Sequence, residues 1–134
     1  MIVDAIINSK SNMNVVVLDN SEVVGQHFKQ FFSAHPAVNH VDVVMNHQYY
    51  LGEIIQKKAD VLLLNRSFHS DGFQQQIRYI RETCPQLVII VCVDDFSLEY
   101  KEQCIKAGAH FVYDRLNNLS ELNEIIFKIQ GLIK

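Results

Sequence analysis

Side chains able to bind a cation or move a proton stand directly after short apolar runs in this sequence. They are Asp19 and Asn20, Asn46 and His47, Asn65 and Arg66, Asp94 and Asp95, and Asp114 and Arg115. Acids converging at one edge would suit a divalent cation, and a lone ionised carboxylate could act as a nucleophile. Other chemistries lack their parts. Cys84, Cys92 and Cys104 show no CxxC spacing; Cys92 sits inside an apolar run and the other two fall on helical patterns, so all three read as core thiols. His40 and His47 flank one apolar run and His35 ends a helical stretch, which separates them too far for a shared ion, and no metal site is expected. No GxSxG elbow occurs. The turn Asp19-Asn20-Ser21-Glu22 has no glycine loop and carries acids that repel phosphate, so no nucleotide or flavin cofactor is expected.

The elements that position these residues follow from hydrophobic period. Val15 to Leu18, Val41 to Met45, Val61 to Leu64, Leu87 to Val93 and the shorter Phe111 to Tyr113 are nearly continuous apolar runs. Such β-branched runs without polar alternation indicate strands covered on both faces, the mark of a parallel sheet. Helical spacing fills the gaps. Val24, Phe28 and Phe31 follow Ser21, a natural N-cap; Tyr50, Ile54 and Ile55 lead to Lys57 and Lys58, expected in the last turn. Phe73, Ile77 and Ile80 mark a third helix, Ser97 to Ala107 a fourth stopped by Gly108, and Leu119, Leu122, Ile125, Ile126, Ile129, Leu132 and Ile133 a fifth. Five strands alternating with five helices predict a flavodoxin-like (βα)5 doubly wound parallel sheet, strand order 2-1-3-4-5, with ligands beyond the carboxyl ends of the strands. Turns place polar residues at strand ends in any α/β protein, so position alone assigns no reaction.

Composition narrows the class. The chain has 134 residues, 49% hydrophobic, with a net charge of −3. That length suits one domain and needs no disulfide or metal staple. The 12 cations are scattered, whereas nucleic-acid binding wants a basic stripe, so no nucleic-acid partner is expected. No apolar run reaches the roughly twenty residues of a membrane span, so no membrane partner is expected either. MIVDAIINSKSN lacks a leading cation and is interrupted by Asp4, unlike a secretory signal, and a cytoplasmic protein is expected. Residues 1–12 read as an N-terminal extension whose Ile2-Val3 and Ile6-Ile7 pairs could dock, and 13–134 as the domain.

Three segments carry a family resemblance. VVVLDNS resembles the first strand of response-regulator receiver domains, which ends in two acids, and ADVLLLN is similar to their third strand, which ends in the phosphoacceptor aspartate. YKEQCIKAGAHFVYDR resembles their fourth helix and fifth strand, with Gly108 and Ala109 preceding Arg115 by the seven and six residues that separate the family's Gly-Ala from its lysine. The resemblance spans about residues 13 to 134 and all five βα units.

That family holds Mg²⁺ on acids and moves a phosphoryl group to the third-strand carboxylate. Here the resemblance maps that carboxylate to Asn65 and the second acid to Asn20. An amide is not a carboxylate nucleophile, and Asp19 alone is a poor Mg²⁺ site. The family's Ser/Thr maps to Val93, or to Cys92 with one insertion, and its lysine to Arg115. The segment after Asn65 is one residue short and lacks the usual proline. The resemblance therefore implies a degenerate pseudo-receiver, not an enzyme and without catalytic residues, in which Asp19 and Arg115 pair across the pocket while Asn20 and Asn65 fill its hydrogen bonds. Its partners would be proteins, with a homodimer as one form, contacted through Phe32 and Phe127 if both rings are exposed. The alternatives are a receiver that still binds Mg²⁺ or phosphoryl weakly through Asp19, Asp94 or Asp95, and a small enzyme on the same fold.

Overall fold

Strand β1 (Met13–Asp19) and helix α1 (Glu22–Ser33) begin the chain's alternation in the computed structural model, which describes residues 13–65, 72–94, 97–115 and 119–132. Then come β2 (Val38–Met45), α2 (Tyr50–Gln56), β3 (Val61–Asn65), α3 (Phe73–Thr83), β4 (Val88–Val93), α4 (Leu98–Ala107), β5 (Phe111–Asp114) and α5 (Leu119–Leu132). The extension 1–12, Arg66 and the rest of 66–71, and Asp95 lie outside the described residues.

All five strands are parallel, in the order β2-β1-β3-β4-β5. Alternate side chains divide the core into two layers. Val16, Leu18, Leu62, Leu64, Ile89 and Val91 pack under α2, α3 and α4. Val15, Val17, Leu63, Ile90 and Cys92 pack under α1 and α5. A sheet buried on both faces needs apolar residues at every position, which is why these runs show no polar alternation.

Local chemistry sets the helix ends. Ser21 and Ser97 hold extended backbone, and their hydroxyls accept the Val24 and Tyr100 N–H groups at 3.3 and 3.1 Å. Gly108 ends α4 at φ 129°, where a Cβ would come within 2.8 Å of Arg81 Cβ. Two expectations change. Helix α2 stops at Gln56, so Lys57 is its C-cap and Lys58 turns left-handed at φ 55° instead of completing the last turn. Leu119 is exposed rather than part of the buried stripe, because it opens the helix ahead of the turn that meets the sheet.

Candidate functional site

Parallel strands bring Asp19, Asn65, Val93 and Asp114 to one edge of the sheet as the last residues of β1, β3, β4 and β5. Asp19 and Asn65 follow the paired residues Leu18 and Leu64, so they stand side by side on neighbouring strands, 4% and 6% exposed. Asn65 Nδ2 donates to Asp19 Oδ2 at 2.6 Å, and the Ser21 backbone N–H donates to Asp19 Oδ1 at 2.8 Å. The Arg115 guanidinium donates through Nη2 to Asn65 Oδ1. These partners fix the amide's orientation, since a carboxylate only accepts and a guanidinium only donates. Arg115 is itself anchored by its backbone N–H, which donates to the Val93 carbonyl at 2.8 Å.

The result is a relay, Arg115 to Asn65 to Asp19, and it corrects the expected direct pair. Among the described residues no ion pair joins Asp19 to Arg115. The cause is strand order: β3 lies between β1 and the β4–β5 edge, so its terminal side chain is interposed. Asn20 is exposed, and among the described residues no hydrogen bond joins it to the relay, so it does not fill the pocket as expected. Its neighbour Asp19 points inward because strand side chains alternate.

Cys92 and Val93 separate the same way. Cys92 pairs in register with Asn65 and lies on the α1/α5 side. Burial pushes its thiol up to about 11, with Arg115 pulling the other way and Asp19 and Asp114 adding to the rise. Val93 faces the opposite layer, with Tyr100. Cys92 is therefore the β4 side chain beside the relay. Neither supplies a hydroxyl.

The surrounding groups are sorted by burial. Asp94 is exposed. Among the described residues no group of three or more His, Cys, Asp or Glu side chains is placed to hold a metal ion. His40 pairs with Asp42 at 3.2 Å and His47 with Glu53 at 3.3 Å, as separate contacts. Phe32 is fully buried, which overturns its expected place on an exposed contact surface: it stands one helical turn after Phe28, and both rings face the sheet. Phe127 is 52% exposed, its ring 5.0 Å from that of His35. A cleft of about 400 Å³ between α1 and β5, lined by Val24, Phe28, Phe31, Tyr113, Arg115 and Leu119, opens beside the relay. The Ser21 N–H was not anticipated as a partner of Asp19; an Asp two residues before a helix N-cap residue was the available signal.

No protein-family model matches the sequence, and no curated protein does. Solved structures are similar. The isolated REC domain of RcsB from Salmonella enterica serovar Typhimurium, in the presence of the phosphomimetic BeF3-, superposes with a TM-score of 0.75 at 21% identity, covering 90% of this chain and 89% of that one. A LuxR-family two-component response regulator from Aurantimonas sp. SI85-9A1 gives 0.78 at 14% identity over 88% and 84%. The signal receiver domain of the response regulator NarL from Mycobacterium tuberculosis gives 0.75 at 19% identity over 90% and 97%. Against RcsB bound to promoter rprA, the match spans 61% of that longer chain. The parallel 2-1-3-4-5 sheet, its two helical layers and these superpositions lead to one conclusion: this chain has the receiver-domain fold of two-component response regulators.

Proposed function

We propose that the chain is a pseudo-receiver, a module of a two-component-type pathway that works through protein contacts and without phosphorylation. The observation that supports this reading is the Asn65 amide held between Asp19 and Arg115. In the receiver resemblance that position carries the carboxylate that attacks phosphorus. The amide's nitrogen lone pair is delocalised, and here both ends of the group are already bonded. Asp19 accepts from two N–H donors, the Asn65 amide and the Ser21 backbone. Mg²⁺ would have to displace the amide and build an octahedral shell around one buried carboxylate, which its geometry resists.

A pocket closed in this manner holds one conformation, so the module acts as a fixed scaffold in the cytoplasm and its partner is a protein. Among the described residues no helix is long and apolar enough to cross a membrane, and the chain's charge of −3 disfavours nucleic acid. Of the two aromatics expected at a contact surface only Phe127 is exposed, and a partner would be met through it. Incubation with Mg²⁺ and acetyl phosphate, followed by intact-mass measurement, tests the reading. The expected spectrum is unchanged. A stoichiometric gain of one phosphoryl group overturns it.

A further inference from the structure

At the foot of β5, the opposite end of the sheet from Asn65, lies a second polar cluster that the relay does not use. Arg81, in the last turn of α3, donates from Nε and Nη2 to the Gly108 carbonyl at 3.1 and 2.9 Å, and from Nη1 to the Pro85 carbonyl at 2.7 Å. Its Nη2 also lies 2.9 Å from His110 Nδ1. A guanidinium cannot accept, so this ring nitrogen takes the bond unprotonated. The same Nδ1 accepts the Ile89 backbone N–H at 3.2 Å, while the His110 N–H donates to the Ile89 carbonyl at 2.9 Å. One lone pair thus ties together the end of α3 and the beginnings of β4 and β5. Strand β5 depends on such ties: it is four residues long, sits at the sheet edge and pairs only with β4.

We propose that His110 is a proton-operated latch on this edge strand: protonation of Nδ1 turns the shared acceptor into a donor, expels both Arg81 and the Ile89 N–H, and loosens the foot of β5. His110 is exposed as a residue, so solvent supplies the proton. The groups that face it are mixed in sign. Arg81 approaches from α3, and Cys84 just beyond it, with Lys58 and Asp60, lines the cavity of about 890 Å³ on one side. Lys101 of α4 and Glu121, Glu124 and Lys128 of α5 line the cleft on the other. Burial, then the nearby Arg81 charge, hold the ring below the usual histidine value. A histidine lowered in the folded state contributes stability that is present above the ordinary value of 6.5 and lost as pH falls through the folded value. The latched form therefore belongs to neutral pH and the released form to mild acid.

Ring titration and amide exchange by NMR on the full chain, from about pH 7.5 to about pH 5, test this. The expected midpoint for His110 lies below 6.5, and across it the Ile89 amide loses about tenfold more protection than the Leu63 amide. His110→Asn keeps an acceptor near the Nδ1 position without titrating, so its Ile89 profile is expected to track Leu63. Arg81→Met removes the opposing charge, and the midpoint is expected to rise towards 6.5. A wild-type midpoint at or above 6.5, or an Ile89 amide that tracks Leu63 in the wild type, overturns the latch. Those wild-type curves decide the matter even where a variant fails to fold.

Discussion

Replacing Asn65 by aspartate changes one atom of the relay and reverses its chemistry. The amide nitrogen that donates to Asp19 at 2.6 Å becomes a carboxylate oxygen at the same distance. The lost donor was a hydrogen bond to a charged group, worth about 1.5–3 kcal/mol. Two carboxylates at that separation would repel by about 6 kcal/mol at an effective dielectric of 20. Protonating one of them at pH 7 costs less, about 4 kcal/mol from an ordinary carboxyl value, so the pair takes up a proton and shares it. The existing contact with the exposed Arg115 becomes an ion pair, which returns about 1 kcal/mol. Asn65→Asp is therefore expected to lose about 3 kcal/mol at pH 7 and almost nothing near pH 4. The sign follows from the shared proton. The pair's folded value is raised above the unfolded one, so its contribution is full below about pH 4 and vanishes as pH climbs through the raised value, at up to about 1.4 kcal/mol per pH unit. Urea unfolding of wild type, Asn65→Asp and Asn65→Ala across that range is the assay. The alanine variant loses the bond at every pH, so its deficit should stay level. Millimolar Mg²⁺ should restore Asn65→Asp at neutral pH by bridging the acids, and leave wild type unmoved. An Asn65→Asp deficit that is absent, or independent of pH, would show that the amide does not rest on Asp19.

Three further outcomes are expected. Lys58→Gly should raise stability by about 0.5–1 kcal/mol, because φ 55° strains any residue with a Cβ; a loss in thermal unfolding would mean the lysine side chain contributes packing of its own. Native protein at pH 8 should expose only Cys84 to a thiol reagent, since burial raises Cys92 and Cys104 to about 11, and Cys84→Ser should be silent until unfolded. With those folded values above the unfolded one, stability should also decline as pH rises from 9 towards 11. Phe127→Glu should leave circular dichroism native, cost about 1 kcal/mol from its contact with His35, and abolish self-association or partner capture if the proposed contact runs through it; an unchanged elution volume and unchanged capture would refute that contact.

The architecture was legible because its determinants are local. Val15 to Leu18 and Val61 to Leu64 have neighbours that are apolar on both sides, Ser21 and Ser97 cap within three residues, and Gly108 stops a helix by its own backbone freedom. Given alternating strands and helices, crossover handedness leaves little choice of strand order. Residue type also singled out Asn65, which stands at the end of a strand whose register is set by its own apolar run. Contacts between distant segments were beyond that reach. The relay joins residues 46 and 50 positions apart, and whether Arg115 meets Asp19 or Asn65 depends on which strand lies between them. Phe32 and Phe127 looked alike as aromatics on helices, yet one is buried and the other exposed, because rotation of each helix about its axis is fixed by the whole layer it packs on. His110 and Arg81 met for the same reason: two corners of the chain converge only after β4 and β5 are paired. Short-range periodicity is written residue by residue, whereas register and interposition are properties of the assembled sheet.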